Sequence, residues 1–209
     1  GIELAIGGNV GKGDFNWKGD FNISFIRNKL TSLIDDNEVR ATDSMHALKV
    51  GKEVGSFYLI KMKGIYQSDE DVPQNLYDQG VRAGDCIYED VNGDGEIDTT
   101  NDRQFVGSAN PKFSGGFNNT FSFKGFDLSV DFQYQIGGNV YDSGYAGLMG
   151  LRAGYAFHTD LQGAWSATNT GSDIPRLNVG DSYSAYGSDR FITSASYLTL
   201  GNVTLGYTL

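Results

Sequence analysis

The sequence predicts an all-β fold: long antiparallel strands forming a segment of a large transmembrane β-barrel, with long extracellular loops. Three observations point there. Apolar and polar residues alternate with period two over about ten to thirteen residues at a time, roughly twice the length of an ordinary strand. Some of these strands are joined by very short turns, whereas others are separated by the long stretches 31–111 and 138–189. Aromatic residues dominate the apolar surface, with 13 Phe and 12 Tyr in a chain whose apolar share is only 39%. That composition suits sheets and bilayer interfaces better than helix bundles.

The elements follow in order. Ile2, Leu4, Ile6 and Val10 alternate with Glu3, Ala5, Gly7 and Asn9, and Gly11 to Asp14 form a turn. Phe15, Trp17, Gly19, Phe21, Ile23 and Phe25 then alternate with Asn16, Lys18, Asp20, Asn22 and Ser24, which completes a hairpin. Residues 31–111 form an extracellular excursion that contains a strand of its own at 56–67 (SFYLIKMKGIYQ). Were 56–67 a full crossing, the two short turns would fall on opposite sides of the membrane. Residues 112–137 form a second hairpin: Phe113, Phe117, Phe121 and Phe123 share a face, and after Lys124-Gly125 so do Phe126, Leu128, Val130, Phe132, Tyr134 and Ile136. Residues 138–189 form a second extracellular loop, and 190–209 a last barrel strand. Its apolar set moves from Leu198 and Leu200 to Val203, Leu205 and Tyr207, which places a bulge near Gly201.

Strand length discriminates between fold classes. A tilted strand needs about nine to eleven residues to cross a bilayer, with one apolar side toward lipid and one polar side toward the lumen. Short turns at one end and long loops at the other are the asymmetry of outer-membrane barrels. No apolar run reaches the roughly 18 residues of a transmembrane helix, and no stretch reads as a signal peptide. The net charge of −10 argues against nucleic acid as a partner. Cys86, the single cysteine, cannot form an internal disulfide and reads as a small, partly buried side chain.

The candidate site is the acidic run DVNGDGEID, Asp90 to Asp98. Its spacing matches an EF-hand-type loop, which places oxygen ligands at positions one, three, five and nine and glycine at six. The expected Ca2+ ligands are the side chains of Asp90, Asn92, Asp94, Asp98 and Asp102 and the backbone oxygen of Glu96. Asn101 occupies the twelfth position, where a bidentate carboxylate is usual, with Asp102 one residue further on. The competing reading is a solvated acidic turn, since 11 of the 26 carboxylates lie between Asp69 and Asp102 against one base, Arg82. His46 and His158 read as exposed bystanders in loops, and no Ser or Cys motif accompanies them, so the chain is not expected to be an enzyme. GGNVGKGD lacks the spacing of a phosphate loop. The loop aromatics Tyr141, Tyr145, Tyr155, Trp165, Tyr183 and Tyr186 suit stacking on sugars, packing against a partner, or packing within the loops.

Five stretches carry a resemblance: VGKEVGSFYLIKMKGIYQ (50–67), GDCIYEDVNGDGEID (84–98), NPKFSGGFNNTFSFKGFDLSVDFQYQIGG (110–138), WSATNTGSDIPRL (165–177) and SDRFITSASYLTLGNVTLGYTL (188–209). With the opening GIEL hairpin they resemble, in order, the SusC/RagA-like TonB-dependent outer-membrane transporters of Bacteroidetes. The chain departs from that pattern at Cys86, where a polar or charged residue is usual, and at an extra threonine, 99 or 100, which displaces Asp102. The resemblance implies a C-terminal part of a 22-strand barrel, without its plug, in the bacterial outer membrane. It implies TonB-driven import of glycans or peptides, a SusD-like surface lipoprotein as partner, contact with outer-membrane lipid, and TonB engaged through the N-terminal part of the protein. Five crossings cannot close such a barrel, so neighbouring strands are expected. The rival reading is a secreted, calcium-stabilised β-sandwich that binds carbohydrate. A glycoside hydrolase is weaker still, because no carboxylate pair at a defined spacing is visible.

Overall fold

Period-two patterning dictates the framework. In the computed structural model, which describes residues 1–34, 38–151 and 153–209, the chain opens with the hairpin β1 (Ile2–Lys12) and β2 (Phe15–Phe25). The first excursion, of which residues 35–37 lie outside the described set, then carries six short strands and a helical turn. These are β3 (Arg40–Ala41), β4 (Ala47–Leu48), β5 (Ser56–Ile60), β6 (Met62–Ile65), α1 (Gln74–Asp78), β7 (Cys86–Tyr88) and β8 (Arg103–Ser108). The second long hairpin is β9 (Pro111–Phe123) and β10 (Phe126–Gly137). The second excursion holds β11 (Asn139–Tyr141), α2 (Ser143–Met149) and β12 (Ile192–Ser194), and β13 (Tyr197–Tyr207) follows.

The five long strands form one antiparallel sheet in the order β1-β2-β9-β10-β13. Its register stacks like on like. Ile6, Phe21, Phe117, Phe132 and Leu200 occupy one row, while Gly7, Asp20, Asn118, Asp131 and Asn202 occupy the next. Every strand thus turns its apolar set to the same side. The expected bulge is present: Asp131 faces Asn202 and Phe132 faces Leu200, leaving Gly201 unpaired and restoring Val203, Leu205 and Tyr207 to the apolar side.

Both hairpins turn at the same end, where Lys124 Nζ lies 4.0 Å from Asp14 Oδ2. The first turn is tighter than the sequence suggests, only Gly13 and Asp14. The second places Lys124 at φ 49° and Gly125 at φ 87°. Two consecutive positive φ angles are the geometry whose twist matches antiparallel strands, and glycine adopts it without strain.

The sheet has no apolar core. Among the described residues every buried apolar side chain lies between Ala47 and Tyr88 or between Met149 and Phe191, and none lies on the five long strands. Ile2 is 70% exposed and Leu205 71%. Among the described residues no second sheet packs against the phenylalanines of 113–136, which argues against the β-sandwich. An eleven-residue strand spans about 36 Å, or about 26 Å when tilted by roughly 45°, which matches the apolar band of an outer-membrane barrel. Burying each large side chain of this face in hydrocarbon is worth roughly 1.5–3 kcal/mol.

The real core sits at the opposite end from the turns, where the two excursions fold together. β5 pairs with β8 and β6 with β7. The expected strand at 56–67 is therefore two strands that exchange partners at Lys61, whose carbonyl accepts from Glu89 N at 2.9 Å. Tyr66, Val72, Leu76 and Val81 form one buried cluster, and Ile60, Cys86 and Tyr88 another; Tyr183 from the second excursion packs against both. The last barrel strand begins at Tyr197 rather than at 190. Residues 189–191 form a 3-10 turn, and Ile192–Ser194 pair with β11 instead of with the barrel sheet.

Candidate functional site

The molecule offers three functional surfaces: an apolar sheet face, a polar sheet face, and a folded cap above them. Aromatic rings rim the apolar face at both ends. Phe126 and Tyr207 meet at 4.5 Å beside the turns, and Phe25 and Phe113 at 5.6 Å below the cap. Two gaps in this face are covered by aromatic rings. The Trp17 ring lies over Gly19 and its Nε1 donates to Asn119 Oδ1 at 3.1 Å, which gives that amide oxygen a partner on this face. Tyr134 reaches across Gly115 to donate its hydroxyl to the Asn22 carbonyl at 2.9 Å.

The polar face carries amides, hydroxyls and a few charges. Lys18 pairs with Asp20 at 3.5 Å. Asn22 Oδ1 accepts from Gly116 N at 3.0 Å, and Thr120 and Ser129 hydroxyls meet at 3.3 Å. Asp127 and Asp131 share this face on β10. Such a surface remains hydrated and suits the wall of a water-filled passage.

The acidic loop curls around Asp90. Its Oδ1 accepts from Gly93 N at 2.6 Å and its Oδ2 from Gly95 N at 2.8 Å. Gly95 sits at φ 82°, the left-handed conformation that the sixth position of such a loop demands. Asn75 on α1 holds the loop by donating to the Gly95 carbonyl. Asn92 and Asp94 are brought together, with Asn92 Nδ2 donating to Asp94 Oδ2 at 2.7 Å. Glu96 N donates to Asp94 Oδ1 at 2.9 Å. Asp98 turns to its own local backbone, accepting from Thr100 N and Asn101 N, and these bonds hold its carboxyl below the ordinary range. Asp102 is 1% exposed, with its oxygens on Val91 N at 2.9 Å and Asp98 N at 2.7 Å. It closes the loop from inside. Among the described residues no three His, Cys, Asp or Glu side chains converge on a point that would hold a metal ion.

The cap is clamped across its two halves by a pair the sequence did not advertise. Arg176 Nε and Nη2 donate to Asp85 Oδ1 and Oδ2 at 2.7 and 2.9 Å, and Arg176 N donates to the Gly84 carbonyl at 2.8 Å. Asp85 is 2% exposed, and this bidentate contact raises the Arg176 pKa. A second tie runs from Met62 N to Asp189 Oδ1 at 2.8 Å. Burial raises the Asp189 carboxyl above the usual range.

The remaining candidates settle into packing roles. Cys86 is wholly buried, rather than partly, and burial pushes its thiol pKa up. The histidines are half-buried rather than exposed: His46 lies tilted against Phe57 at 4.7 Å beside Asp43, and His158 meets Tyr145 at 4.8 Å while capping a 3-10 turn. Tyr183 and Tyr186 pack together with Tyr88, and Tyr141 and Tyr145 pack on Phe191. Trp165 Nε1 donates to Gln67 Oε1 at 3.1 Å. Tyr155 alone among the six is strongly exposed, at 70%.

Comparison with known proteins bears on these surfaces. No family model matches the chain. TonB-dependent receptor P3 of Formosa agariphila is 33% identical over the whole chain, which spans 21% of that receptor. TonB-dependent receptor SusC of Bacteroides thetaiotaomicron is 27% identical over 99% of the chain and 20% of its own length. Among solved structures, that of the RagAB peptide transporter superposes with a TM-score of 0.78 at 21% identity, over 98% of this chain and 22% of that one. The chain spans about a fifth of the relatives it matches.

Proposed function

Because the chain belongs to the TonB-dependent receptors of the SusC and RagA type, we propose that it forms part of the wall and outer cap of a bacterial outer-membrane importer. Its apolar face meets lipid, its polar face lines the passage, and its cap meets substrate and a SusD-like surface lipoprotein. Glycans or peptides are the cargo, and TonB supplies the drive through another part of the protein. The role is gated passage and not bond making. One observation carries this reading: among the described residues none of the large apolar side chains of five adjacent strands is buried, and they share one side of the sheet, backed by polar residues on the other.

The open edges agree. Every residue of β1 is exposed, and its outer row of backbone N–H and C=O groups has no partner strand among the described residues. A bilayer does not tolerate such an edge, so further strands of the receptor continue the sheet on both sides. The test is uptake. A strain lacking the full-length receptor should lose growth on an oligomeric nutrient that supports the wild type, and a strain lacking TonB should show the same loss. Undiminished growth of both strains on every glycan and peptide mixture tried would overturn the reading.

For the 90–102 loop we propose structural calcium held by Asp90, Asn92, Asp94 and Asp98 with the Glu96 backbone oxygen. The spacing and the curl at Gly95 support it. Asp102 is better read as the loop's internal tie, since it is 1% exposed and its oxygens hold the backbone amides of Val91 and Asp98 from inside the loop. Occupancy would require Asp90, Asp94 and Asp98 to turn from their backbone partners toward a common point, since among the described residues these side chains do not converge. The ion would pin an external loop and take no part in transport chemistry.

A further inference from the structure

Unmet donors gather in one short stretch of the cap. Among the described residues, Tyr183 OH, Ser184 Oγ and Ser188 Oγ are buried without a hydrogen-bond partner. Next to them stands Arg190, which among the described residues pairs with no carboxylate; its Nη1 meets the Cys86 sulfur at 3.7 Å, and its guanidinium lies 4.4 Å from the Phe191 ring centre. All four groups can donate a hydrogen bond. Buried polar groups are nearly always paired, and of these four Ser184 and Arg190 line a cleft that an acceptor can enter, whereas Tyr183 and Ser188 line none.

Arg190 stands where an acceptor can arrive. It lines a cleft of about 430 Å³ on one side and a second, more open one of about 710 Å³ on the other. Arg176, in the first cleft, is committed to Asp85, and Asp181 there is committed to Tyr183 N and Ser184 N. Among the described residues Arg190 is therefore the cleft cation left for a ligand. The same cleft is walled by Met149, Leu151, Leu161, Ile174, Leu177 and Phe191. An apolar wall with a few convergent polar groups is the usual form of a small-ligand site, and here Arg176 and Asp181 are already bonded within the protein. Its walls are mostly aliphatic, and its two rings, Tyr141 and Phe191, pack edge-on against each other at 5.9 Å rather than side by side as a flat platform for a sugar.

We infer that this cleft binds the C-terminal carboxylate of a peptide whose last side chain is apolar, with Arg190 gripping the carboxylate and the aliphatic wall taking the side chain. This assignment rests on the import reading above and narrows its cargo to peptides. The guanidinium fork matches a carboxylate in a way a lysine ammonium does not.

The test uses the full-length receptor in detergent, with calorimetric binding of a leucine-terminated pentapeptide and of the same peptide as its C-terminal amide. The free acid should bind at least tenfold more tightly than the amide. Arg190→Gln should remove that preference while leaving the amide's affinity unchanged, and Arg190→Lys should restore only part of it. Folding of each variant is checked by its heat-dependent migration on gels. Equal binding of acid and amide by the wild type, or a preference that survives Arg190→Gln, overturns the site. Uptake in cells separates the two readings: receptor-dependent uptake that is indifferent to amidation defeats the carboxylate site alone, whereas receptor-independent uptake of all cargo defeats the import proposal beneath it.

Discussion

Single atoms decide where this sheet tolerates change. A Cβ on Gly115 would stand 2.0 Å from the Asn22 carbonyl and 2.6 Å from the Tyr134 hydroxyl. Backbone cannot yield as a flexible side chain can. Gly115→Ala should therefore destabilise the full-length barrel by about 2 kcal/mol, as overpacking does elsewhere. The measurement is the temperature at which folded migration on gels is lost, and an unchanged temperature would mean the strands are more loosely spaced than described. The acidic loop makes a second prediction at this scale. Calorimetric titration of the full-length receptor with calcium should give a saturable heat that Asp94→Ala abolishes. No heat in the wild type, or heat that survives the substitution, would leave Asp90 to Asp102 as a turn held by its own backbone bonds.

At the level of elements, the long strands were legible because a period of two is visible in any stretch of ten residues. Phe113 to Ile136 declared its faces, its turn and its partner, and even the Gly201 bulge showed as a change of parity between Leu200 and Val203. The cap was not legible. Its strands are two to six residues long, too short for alternation to show, and its clamp joins Asp85 to Arg176 across 91 positions. The one cue was compositional, an arginine inside the run WSATNTGSDIPRL. Trp17 and Asn119 show the same limit, since neither residue alone predicts that an indole will shield an amide on the lipid side. Trp17→Phe should leave that amide unpaired in hydrocarbon and destabilise the barrel by about 1 kcal/mol. Adding Asn119→Val should recover most of the loss, because removing both partners leaves nothing unsatisfied. Failure of the second change to recover stability would show that the contact is incidental.

Across the whole molecule, the distribution of burial is inverted relative to a water-soluble domain: the core lies in the connections and the regular sheet is bare. The proposed second solvent accounts for both halves at once, with hydrocarbon against one sheet face and a polar passage against the other. The most direct test places nitroxide labels one at a time on Leu128, Ser129, Val130, Asp131 and Phe132 of the full-length receptor in lipid bilayers and reads collisions with oxygen and with a water-soluble nickel chelate. Labels at 128, 130 and 132 should favour oxygen, which concentrates in lipid, and labels at 129 and 131 should favour nickel. Equal accessibility along all five positions, or the opposite phase, would contradict the account.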